Sequence, residues 1–273
     1  MYLKPSKRIL RQLHSGIDCS FGPHADEPCI VFAPHPDDEV LGCGGTMILK
    51  RKLGTPVTVV FMTDGRTSHQ KFKSADELCR IRREEAIDAG RAMGIDARDL
   101  RFMDFPDGQL GEHEERAVAE VGSLLSEVSA TEVFVPFCFD RTPDHEATFR
   151  IVRDAICSAG SGLHVFEYPV WAWNQWPWVS LDLKPNRALL RNLRELWRSR
   201  FGLAILREFR SGVTVGEVLS QKRVALAQHR SQTIELQPGV GWPTLESVSH
   251  GEFLSCFFQN FEVFRCSVDT SPS

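Results

Sequence analysis

The chain has 273 residues, with 32 lysines and arginines against 36 aspartates and glutamates, which gives a formal net charge of −4. Hydrophobic residues make up 42% and charged residues 25%, a balance typical of a globular protein with a substantial core and unlike that of a disordered or fibrous chain. The acidic balance argues against a nucleic-acid partner, and no apolar run approaches the roughly 20 residues that a membrane span needs.

The cysteines bear on the cellular compartment and on the type of metal site. Eight cysteines are scattered along the chain without a CxxC pair, which argues against a thiolate zinc site or a thioredoxin-like motif. Several, such as Cys29 and Cys256, lie in apolar segments, where a free thiol acts as a small hydrophobe. The positively charged N-terminal residues have no apolar segment behind them, so no secretory signal is expected. We therefore expect a cytoplasmic protein with reduced cysteines, in which histidines and aspartates would bind any metal.

Short β-rich segments alternate with helical segments through the first two-thirds of the chain. The predicted strands are residues 29–33, 56–62, 100–105, 132–137 and 164–170. The predicted helices are residues 39–53, 76–93, 112–128 and 145–157. This alternation is typical of βαβ crossovers, so we predict an α/β fold with a Rossmann-like, mainly parallel sheet and helices on both faces.

The last third of the chain differs in composition. Residues 170–178 contain four of the six tryptophans and are interpreted as core, as the wall of a pocket, or as both. Residues 186–209 are predicted to form an arginine-rich helix, most simply a solvated face; a site for an anionic substrate group, a membrane surface or a partner is the alternative. A shorter helix at 215–229 and one or two strands within 257–266 complete the prediction.

The segments between these elements contain no long flexible linker. We therefore predict a single domain over residues 1–273, with a catalytic core at about 28–170 and a substrate-specificity elaboration at about 171–273. The glycine-rich residues 42–45 lack the spacing of a nucleotide-binding loop and are interpreted as a site of close helix packing.

Two polar turns follow predicted strands. The first, residues 34–39, reads Pro-His-Pro-Asp-Asp-Glu, and the second, residues 140–145, ends in Pro-Asp-His. The carboxyl ends of parallel strands are where open α/β sheets bind ligands. Ionisable side chains crowded on a turn are unfavourable unless they are paired, and a divalent cation suits both histidine nitrogen and carboxylate oxygen. An ordinary helix-capping turn is the alternative for the first segment, since aspartate is favoured at helix starts.

These turns belong to a series of motifs that resembles the PIG-L/LmbE family of metal-dependent N-acetylglucosaminyl deacetylases. The PHPDDE block continues into VLGCGGTM, and the later motifs keep the family's order over roughly residues 28–232. These later motifs are TDG at 63–65, an RxxE pair at Arg82 and Glu85, FPDG at 105–108, PDH at 143–145 and HRSQ within 227–232.

The resemblance assigns roles to six residues. It implies that His35, Asp38 and His145 bind the metal, with Zn²⁺ expected and another divalent metal such as Fe²⁺ as the alternative. It implies that Asp37 is the general base, and that Arg82 and Asp107 contact the sugar. The last two roles depend on the resemblance, because Arg82 lies in a charged run that would suit a solvated helix face and Asp107 is an ordinary turn residue.

One position departs from the family pattern. The family commonly has HPDH at the second turn, whereas this chain has Thr142 in place of the first histidine. That histidine is thought to assist the tetrahedral intermediate or the leaving group. Asp37 would then serve as both base and acid, or another histidine would take this part. The histidines considered are His69, His113, His229 and His250.

The resemblance leads to a functional prediction. We predict a zinc-dependent hydrolase that removes an acetyl or other acyl group from the amide nitrogen of an N-acetylglucosamine-type sugar, with natural-product and glycoconjugate pathways as candidate settings. Amides are poor electrophiles, so a metal that polarises the carbonyl and acidifies water, together with a base such as Asp37, supplies what hydrolysis needs. The expected partner is a small N-acetyl sugar or glycoconjugate. The alternatives are a non-haem Fe(II) oxygenase with the same two-His-one-carboxylate ligands, or a catalytically weakened sugar-binding homologue.

Overall fold

A seven-stranded sheet forms the centre of the protein. The structure is a computed structural model that describes residues 2–3, 15–18, 22–160, 162–182 and 203–267. The strands of this sheet are β1 (Cys29–Ala33), β2 (Val57–Thr63), β3 (Leu100–Phe105), β4 (Glu132–Pro136), β5 (His164–Tyr168), β6 (Ser211–Thr214) and β7 (Phe261–Ser267). Their order is β3-β2-β1-β4-β5-β7-β6. The first five strands are parallel, whereas β7 pairs antiparallel with both β5 and β6. A separate short pairing joins Tyr2–Leu3 to Leu181–Asp182.

Helices cover both faces of the sheet. The α-helices are α1 (Asp38–Lys52), α2 (Ala75–Met93), α3 (Glu114–Glu127), α4 (Pro143–Ala159), α5 (Leu203–Glu208), α6 (Leu219–Leu226), α7 (Arg230–Thr233) and α8 (Glu252–Ser255). Side chains alternate across β1, so that Val31 packs in the core shared with α1 and α2, whereas Ile30 and Phe32 pack in the core shared with α3 and α4. This arrangement confirms the predicted Rossmann-like α/β fold.

The predicted elements of the first two-thirds match the observed ones to within about two residues, with one change of helix type. The helix predicted from residue 112 begins with the 3₁₀ turn Leu110–His113 and becomes α-helical at Glu114. Helix α4 begins at Pro143, two residues before the predicted start, because proline is well suited to the first turn of a helix.

The last third differs more from its prediction. The predicted helix at 215–229 is a 3₁₀ turn, Gly216–Val218, followed by α6, which ends at Leu226. The predicted strand region, residues 257–266, begins inside the 3₁₀ turn Cys256–Phe258, and β7 begins only at Phe261. Of the predicted arginine-rich helix, Leu203–Glu208 is helical and residues 186–202 lie outside the described residues.

Helix α1 packs unusually close to its neighbours through glycines. A Cβ atom on Gly42 would lie 2.2 Å from Cδ2 of Tyr168, and one on Gly45 would lie 2.6 Å from Cγ1 of Val215. Any larger residue would therefore separate α1 from β5 or from the segment after β6. The interpretation of residues 42–45 as a site of close helix packing is confirmed.

A buried ion pair also anchors α1. Lys222 Nζ lies 2.7 Å from Glu262 Oε1, and both side chains are almost fully buried. Glu262 accepts hydrogen bonds from the backbone N–H groups of Gly45 (2.6 Å) and Thr46 (2.7 Å), and Lys222 donates to the carbonyl of Leu41 (2.9 Å). Elements of the last third thus hold the helix that starts at Asp38.

All seven cysteines within the described residues are free, and burial raises the pKa of the Cys29 and Cys256 thiols to about 12. No helix in the described ranges is both long and apolar enough to cross a membrane.

Candidate active site

The two polar turns meet at the carboxyl edge of the sheet. They follow β1 and β4, which are adjacent parallel strands. After β1 the next strands, β2 and β3, are added on one side, and after β4 the next strand, β5, is added on the other side. This point is where open α/β sheets place ligands. Thr63, at the end of β2, donates to the carbonyl of Pro34 through its N–H (3.0 Å) and its hydroxyl (2.8 Å) and so fixes the first turn.

The three predicted metal ligands lie together. Each of His35, Asp38 and His145 offers a ligand atom, and these atoms all lie within 4.8 Å of one another. Asp38 Oδ2 is 3.2 Å from His35 Nδ1 and 3.1 Å from His145 Nε2. Asp38 and His145 are buried, whereas His35 is partly exposed. Two turns more than 100 residues apart in sequence therefore form one cluster.

Carboxylates outside this cluster orient both imidazole rings. Asp140 Oδ2 lies 2.7 Å from His145 Nδ1, and Asp140 itself accepts hydrogen bonds from the backbone N–H groups of Val170 and Ala172. Asp144 Oδ2 lies 3.2 Å from His35 Nε2 and accepts a hydrogen bond from the N–H of Gly108. A carboxylate partner on the second ring nitrogen is typical of metal-binding histidines.

Sequence reasoning did not assign roles to Asp140 or Asp144. Both lie in the turn at 140–145, which was recognised only for its histidine. A signal was present, because both carboxylates lie within five residues of His145 in a turn already assigned to a metal site.

The residues of the cluster fit a divalent cation. With Nδ1 of His145 hydrogen-bonded to Asp140, its buried Nε2 faces Asp38 Oδ2 at 3.1 Å without the geometry of a hydrogen bond, and among the described residues it has no hydrogen-bond partner. Burial alone would lower the pKa of His145, but Asp38 and Asp140 raise it to about 9. Burial would raise the pKa of Asp38, but His145 and His35 hold it well below its usual value. The imidazoles thus supply positive charge to a buried carboxylate, and a cation would supply the same charge.

Asp37 has a strained backbone and a perturbed carboxyl group. Its φ of 129° and ψ of −29° lie in a region that residues with a Cβ rarely adopt, at a cost of about 1–3 kcal/mol. Burial raises the pKa of Asp37 to about 7, against the opposing effect of Arg82, whose Nη2 lies 3.3 Å from Asp37 Oδ2. A carboxyl group that titrates near neutrality is suited to both taking up and releasing a proton.

Arg82 is buried beside Asp37. Its neighbours Arg80 and Arg83 are exposed, so the solvated-face interpretation of this charged run does not describe Arg82. Its guanidinium also donates to the carbonyl of Pro36. Gly65 makes room for it, since a Cβ there would lie 2.8 Å from Arg82 Cδ. Contact of Arg82 with a sugar stays a prediction.

Asp107 is held against His35. Its Oδ1 lies 3.2 Å from His35 Nε2, and its Oδ2 accepts hydrogen bonds from the N–H (2.9 Å) and hydroxyl (2.7 Å) of Thr67. Burial would raise the pKa of Asp107, but these contacts, that with His35 foremost, hold it well below the usual value. Asp107 therefore supports a predicted metal ligand, and its contact with substrate also stays a prediction.

A cavity of about 400 Å³ opens over this cluster. Its lining includes all the predicted site residues except the buried His145, together with an apolar wall from the last third of the chain. The ring of Trp171 lies in this wall and stacks on Phe253 with centroids 5.0 Å apart, whereas Trp173 and Trp178 pack in the core. The tryptophan-rich segment thus contributes to both core and pocket. The apolar wall comprises Val170, Trp171, Pro243, Leu245, Val248 and Phe253.

The position that departs from the family pattern also faces this cavity. Thr142 lines it, and the Thr142 hydroxyl is buried without a hydrogen-bond partner among the residues that the structure describes. Of the four histidines considered in its place, His69 is the one that lines the cavity. His69 Nε2 lies 2.9 Å from the carbonyl of Pro243, which can only accept, so Nε2 carries the proton and Nδ1 accepts from Ser68 (2.9 Å). Both ring nitrogens of His69 therefore already have hydrogen-bond partners.

Sequence comparisons identify the family. A family model described as PIG-L, GlcNAc-PI de-N-acetylase, matches residues 30–156. The probable N-acetyl-alpha-D-glucosaminyl L-malate deacetylase 2 of Bacillus cereus is 30% identical over 210 residues, which are 75% of this chain and 83% of that protein. The chain belongs to the PIG-L family, which confirms the resemblance. The prediction of a deacetylase, an amidohydrolase by class, is confirmed with it.

Solved structures share the fold. The N,N'-diacetylchitobiose deacetylase of Pyrococcus horikoshii is 20% identical, with a TM-score of 0.61 over 99% of this chain and 97% of that one. GalB, the 4-carboxy-2-hydroxymuconate hydratase of Pseudomonas putida, is 14% identical, with a TM-score of 0.56 over 90% of this chain and 98% of that one. Since these two enzymes carry the names of different reactions, likeness of fold alone does not assign a reaction to this chain.

Proposed function

We propose that this protein is a divalent-metal-dependent deacetylase, with zinc as the expected metal, that acts on an N-acetylglucosamine-type sugar joined to a larger group. The observation that carries the proposal is the convergence of His35, Asp38 and His145 within 4.8 Å of one another beside Asp37. The printed names of the Bacillus cereus relative and the Pyrococcus horikoshii structure, both deacetylases of N-acetyl sugars, support it.

The residues of the site would have separate roles in amide hydrolysis. His35, Asp38 and His145 would hold the cation, which when bound polarises the amide carbonyl and makes water more acidic. Asp37 takes the proton of the attacking water as the new carbon–oxygen bond forms. When the carbon–nitrogen bond breaks, Asp37 returns that proton to the departing nitrogen, so that acetate and a free amine are the products. Arg82 keeps the Asp37 carboxylate in place.

The cavity suits a substrate with a polar and an apolar side. We infer that the hydroxyl groups of the sugar face Asp107 and Arg82 on the polar floor, where charged hydrogen-bonding groups are concentrated. The opposite wall, which includes Trp171, would contact the apolar face of the sugar ring or the group attached to it. A natural-product or glycoconjugate setting and a cytoplasmic location stay predictions.

The alternatives have less support. Two histidines and one carboxylate would also suit Fe(II), but a second carboxylate, Asp37, adjoins the ligand Asp38, and an oxygenase has no evident need for such a base. A weakened sugar-binding homologue would not need Asp37, whose strained backbone next to the predicted ligand Asp38 supports a catalytic role.

The proposal is tested by assaying purified protein loaded with Zn²⁺ against a panel of N-acetylglucosamine conjugates. We expect acetate and free amine in equal amounts from at least one conjugate, and loss of both on chelation. Oxygen consumption without acetate release would contradict the proposal in favour of an oxygenase. Addition of water to an unsaturated acid, with no acetate from any conjugate, would contradict it in favour of a hydratase.

A further inference from the structure

A buried chain of contacts joins the last third of the protein to the backbone of Asp37. His229 Nε2 lies 2.8 Å from Glu39 Oε1, although the two residues are 190 positions apart. The other oxygen of Glu39, Oε2, accepts a hydrogen bond of 2.8 Å from the N–H of Asp37. Glu39 and His229 are 1% and 0% exposed, so water does not compete for either contact.

The contact with Glu39 acts on the strained residue itself. A conformation such as that of Asp37 persists only where its surroundings constrain it from several sides. The carbonyl of Asp37 accepts hydrogen bonds from the N–H groups of Val40 (3.1 Å) and Leu41 (3.0 Å), which constrains the side that leads into α1. Glu39 constrains the opposite side, at the N–H. Arg82 constrains the carboxylate.

The turn that contains His229 is itself fixed to helix α2. Ser231 donates to both carboxylate oxygens of Glu85, through its N–H (2.7 Å) and through its hydroxyl (2.7 Å). The carbonyl of Ser231 accepts a hydrogen bond of 2.8 Å from the indole of Trp242. Because Glu85 lies three residues after Arg82, on the same face of α2, this helix supports both the carboxylate of Asp37 and the turn behind Glu39.

The His229 ring depends on Glu39 for its orientation. Its Nδ1 is buried and has no hydrogen-bond partner within the described ranges of the chain. Among the described residues, the contact with Glu39 is therefore the hydrogen bond that orients the ring. The oxygen of Glu39 that does not face His229 accepts the hydrogen bond from the N–H of Asp37, so the pair contacts the backbone of the proposed base.

We propose that Glu39 and His229 are positioning residues, which hold Asp37 in the strained conformation from which it transfers protons; this inference rests on the proposed function. Without the pair, Asp37 would relax and its carboxylate would move away from the attacking water. A misplacement of about 1 Å reduces turnover by up to about 100-fold. Binding of metal and of sugar would change little, since neither Glu39 nor His229 belongs to the cluster of predicted ligands or lines the cavity.

The test compares Glu39→Ala and His229→Phe with the wild type, all loaded with Zn²⁺ and assayed for acetate release. We expect kcat to fall by about 10- to 100-fold, with KM and bound metal within about twofold of the wild type. The conservative variants Glu39→Gln and His229→Gln, which keep hydrogen-bonding groups, should recover part of kcat. If Glu39→Ala or His229→Phe prevents folding, these conservative variants test the proposal instead, through a smaller loss of kcat.

Glu262→Gln is the matched control. Glu262 is also buried, belongs to an ion pair and contacts the backbone of α1, but it does so at Gly45 and Thr46 and not at Asp37. We expect this variant to lower Tm while kcat per folded molecule is unchanged. Equal losses of kcat in Glu262→Gln and Glu39→Ala would overturn the proposal, because general loosening of α1 would then explain both.

A second experiment, with double variants, tests whether Glu39 acts through Asp37. In an Asp37→Asn background, Glu39→Ala should change the residual kcat by less than about twofold, since the group that it positions is already lost. A full 10- to 100-fold further loss would overturn the positioning role. If the wild type releases no acetate, the proposed function fails and the inference with it. If the wild type is active and Glu39→Ala and His229→Phe match it, the inference alone fails.

Discussion

At the residue scale, the carboxylate of Asp140 orients the ring of the predicted metal ligand His145. Asp140 lies 2.7 Å from Nδ1 of this ring, and Asp140 in turn accepts hydrogen bonds from three backbone N–H groups in the segment that follows β5. Nε2 is therefore turned toward Asp38, with its tautomer set by the carboxylate behind it. The free energy of metal binding should depend on Asp140 although Asp140 is not itself a ligand.

This dependence gives the first prediction. Asp140→Asn keeps the shape of the side chain but removes its charge, and we expect a 10- to 100-fold weaker affinity for Zn²⁺. Competition with a chromophoric chelator measures this change. Asp96→Asn, at an exposed aspartate that does not line the cavity, is the control and should leave the affinity unchanged. Equal affinity in Asp140→Asn and the wild type would show that the ring needs no such support.

At the scale of elements, helix α1 carries Asp38 at its first turn and must lie close to β5. The second prediction concerns Gly42 in this helix, where a Cβ would lie 2.2 Å from the ring of Tyr168. That ring is fully buried and hydrogen-bonded through its hydroxyl to the carbonyl of Phe32, so it cannot move aside. We expect Gly42→Ala to lower the free energy of unfolding by about 1–3 kcal/mol or more.

Urea denaturation of Gly42→Ala measures this loss, and the chain offers a matched control. Gly122 lies in helix α3, and a Cβ there would have no atom within 4 Å. Gly122→Ala should raise the free energy of unfolding by about 0.5–1 kcal/mol, because alanine favours the helix more than glycine does. If both variants were stabilised alike, close packing of α1 on β5 would be refuted.

At the scale of the whole molecule, the site joins two parts of the sheet. His35 and Asp38 follow β1, and His145 follows β4, so a bound cation would link the strands on either side of the point where the strand order reverses. A ligand that binds only the folded state stabilises it by about 2.7 kcal/mol at 100 times its Kd. The third prediction is that Zn²⁺ raises the Tm of the protein.

Thermal unfolding with and without Zn²⁺ measures this effect. The rise in Tm should be lost in His145→Ala and kept in His164→Ala, which removes an exposed histidine at the start of β5. A rise of the same size in His145→Ala would mean that Zn²⁺ binds elsewhere.

The sequence predicted those features of the molecule that depend on local pattern. Alternating strands and helices are visible in the spacing of apolar residues, and parallel strands bring their carboxyl ends to one edge, so the convergence of the turns at His35 and His145 followed from the order of elements. The family resemblance added the assignment of Asp37 as the base, which stays a prediction.

Other features depend on packing between distant segments, which periodicity does not report. Arg82 looked like part of a solvated face, and its burial against Asp37 requires the close approach of α2 to the first turn. The contact between Glu39 and His229 spans 190 positions and arises where the chain leaves helix α6, at a place where a continuous helix was predicted. Both contacts bear on the proposed base.

The central claim is that one residue transfers protons while its neighbours bind the metal, and comparison of Asp37→Asn with His145→Ala tests it most directly. Bound metal and acetate release are measured on the same preparations. We expect Asp37→Asn to keep its metal and to lose turnover by about 100- to 10,000-fold, and His145→Ala to lose the metal as well. Turnover of an acetylated substrate by Asp37→Asn at the wild-type rate would contradict the account.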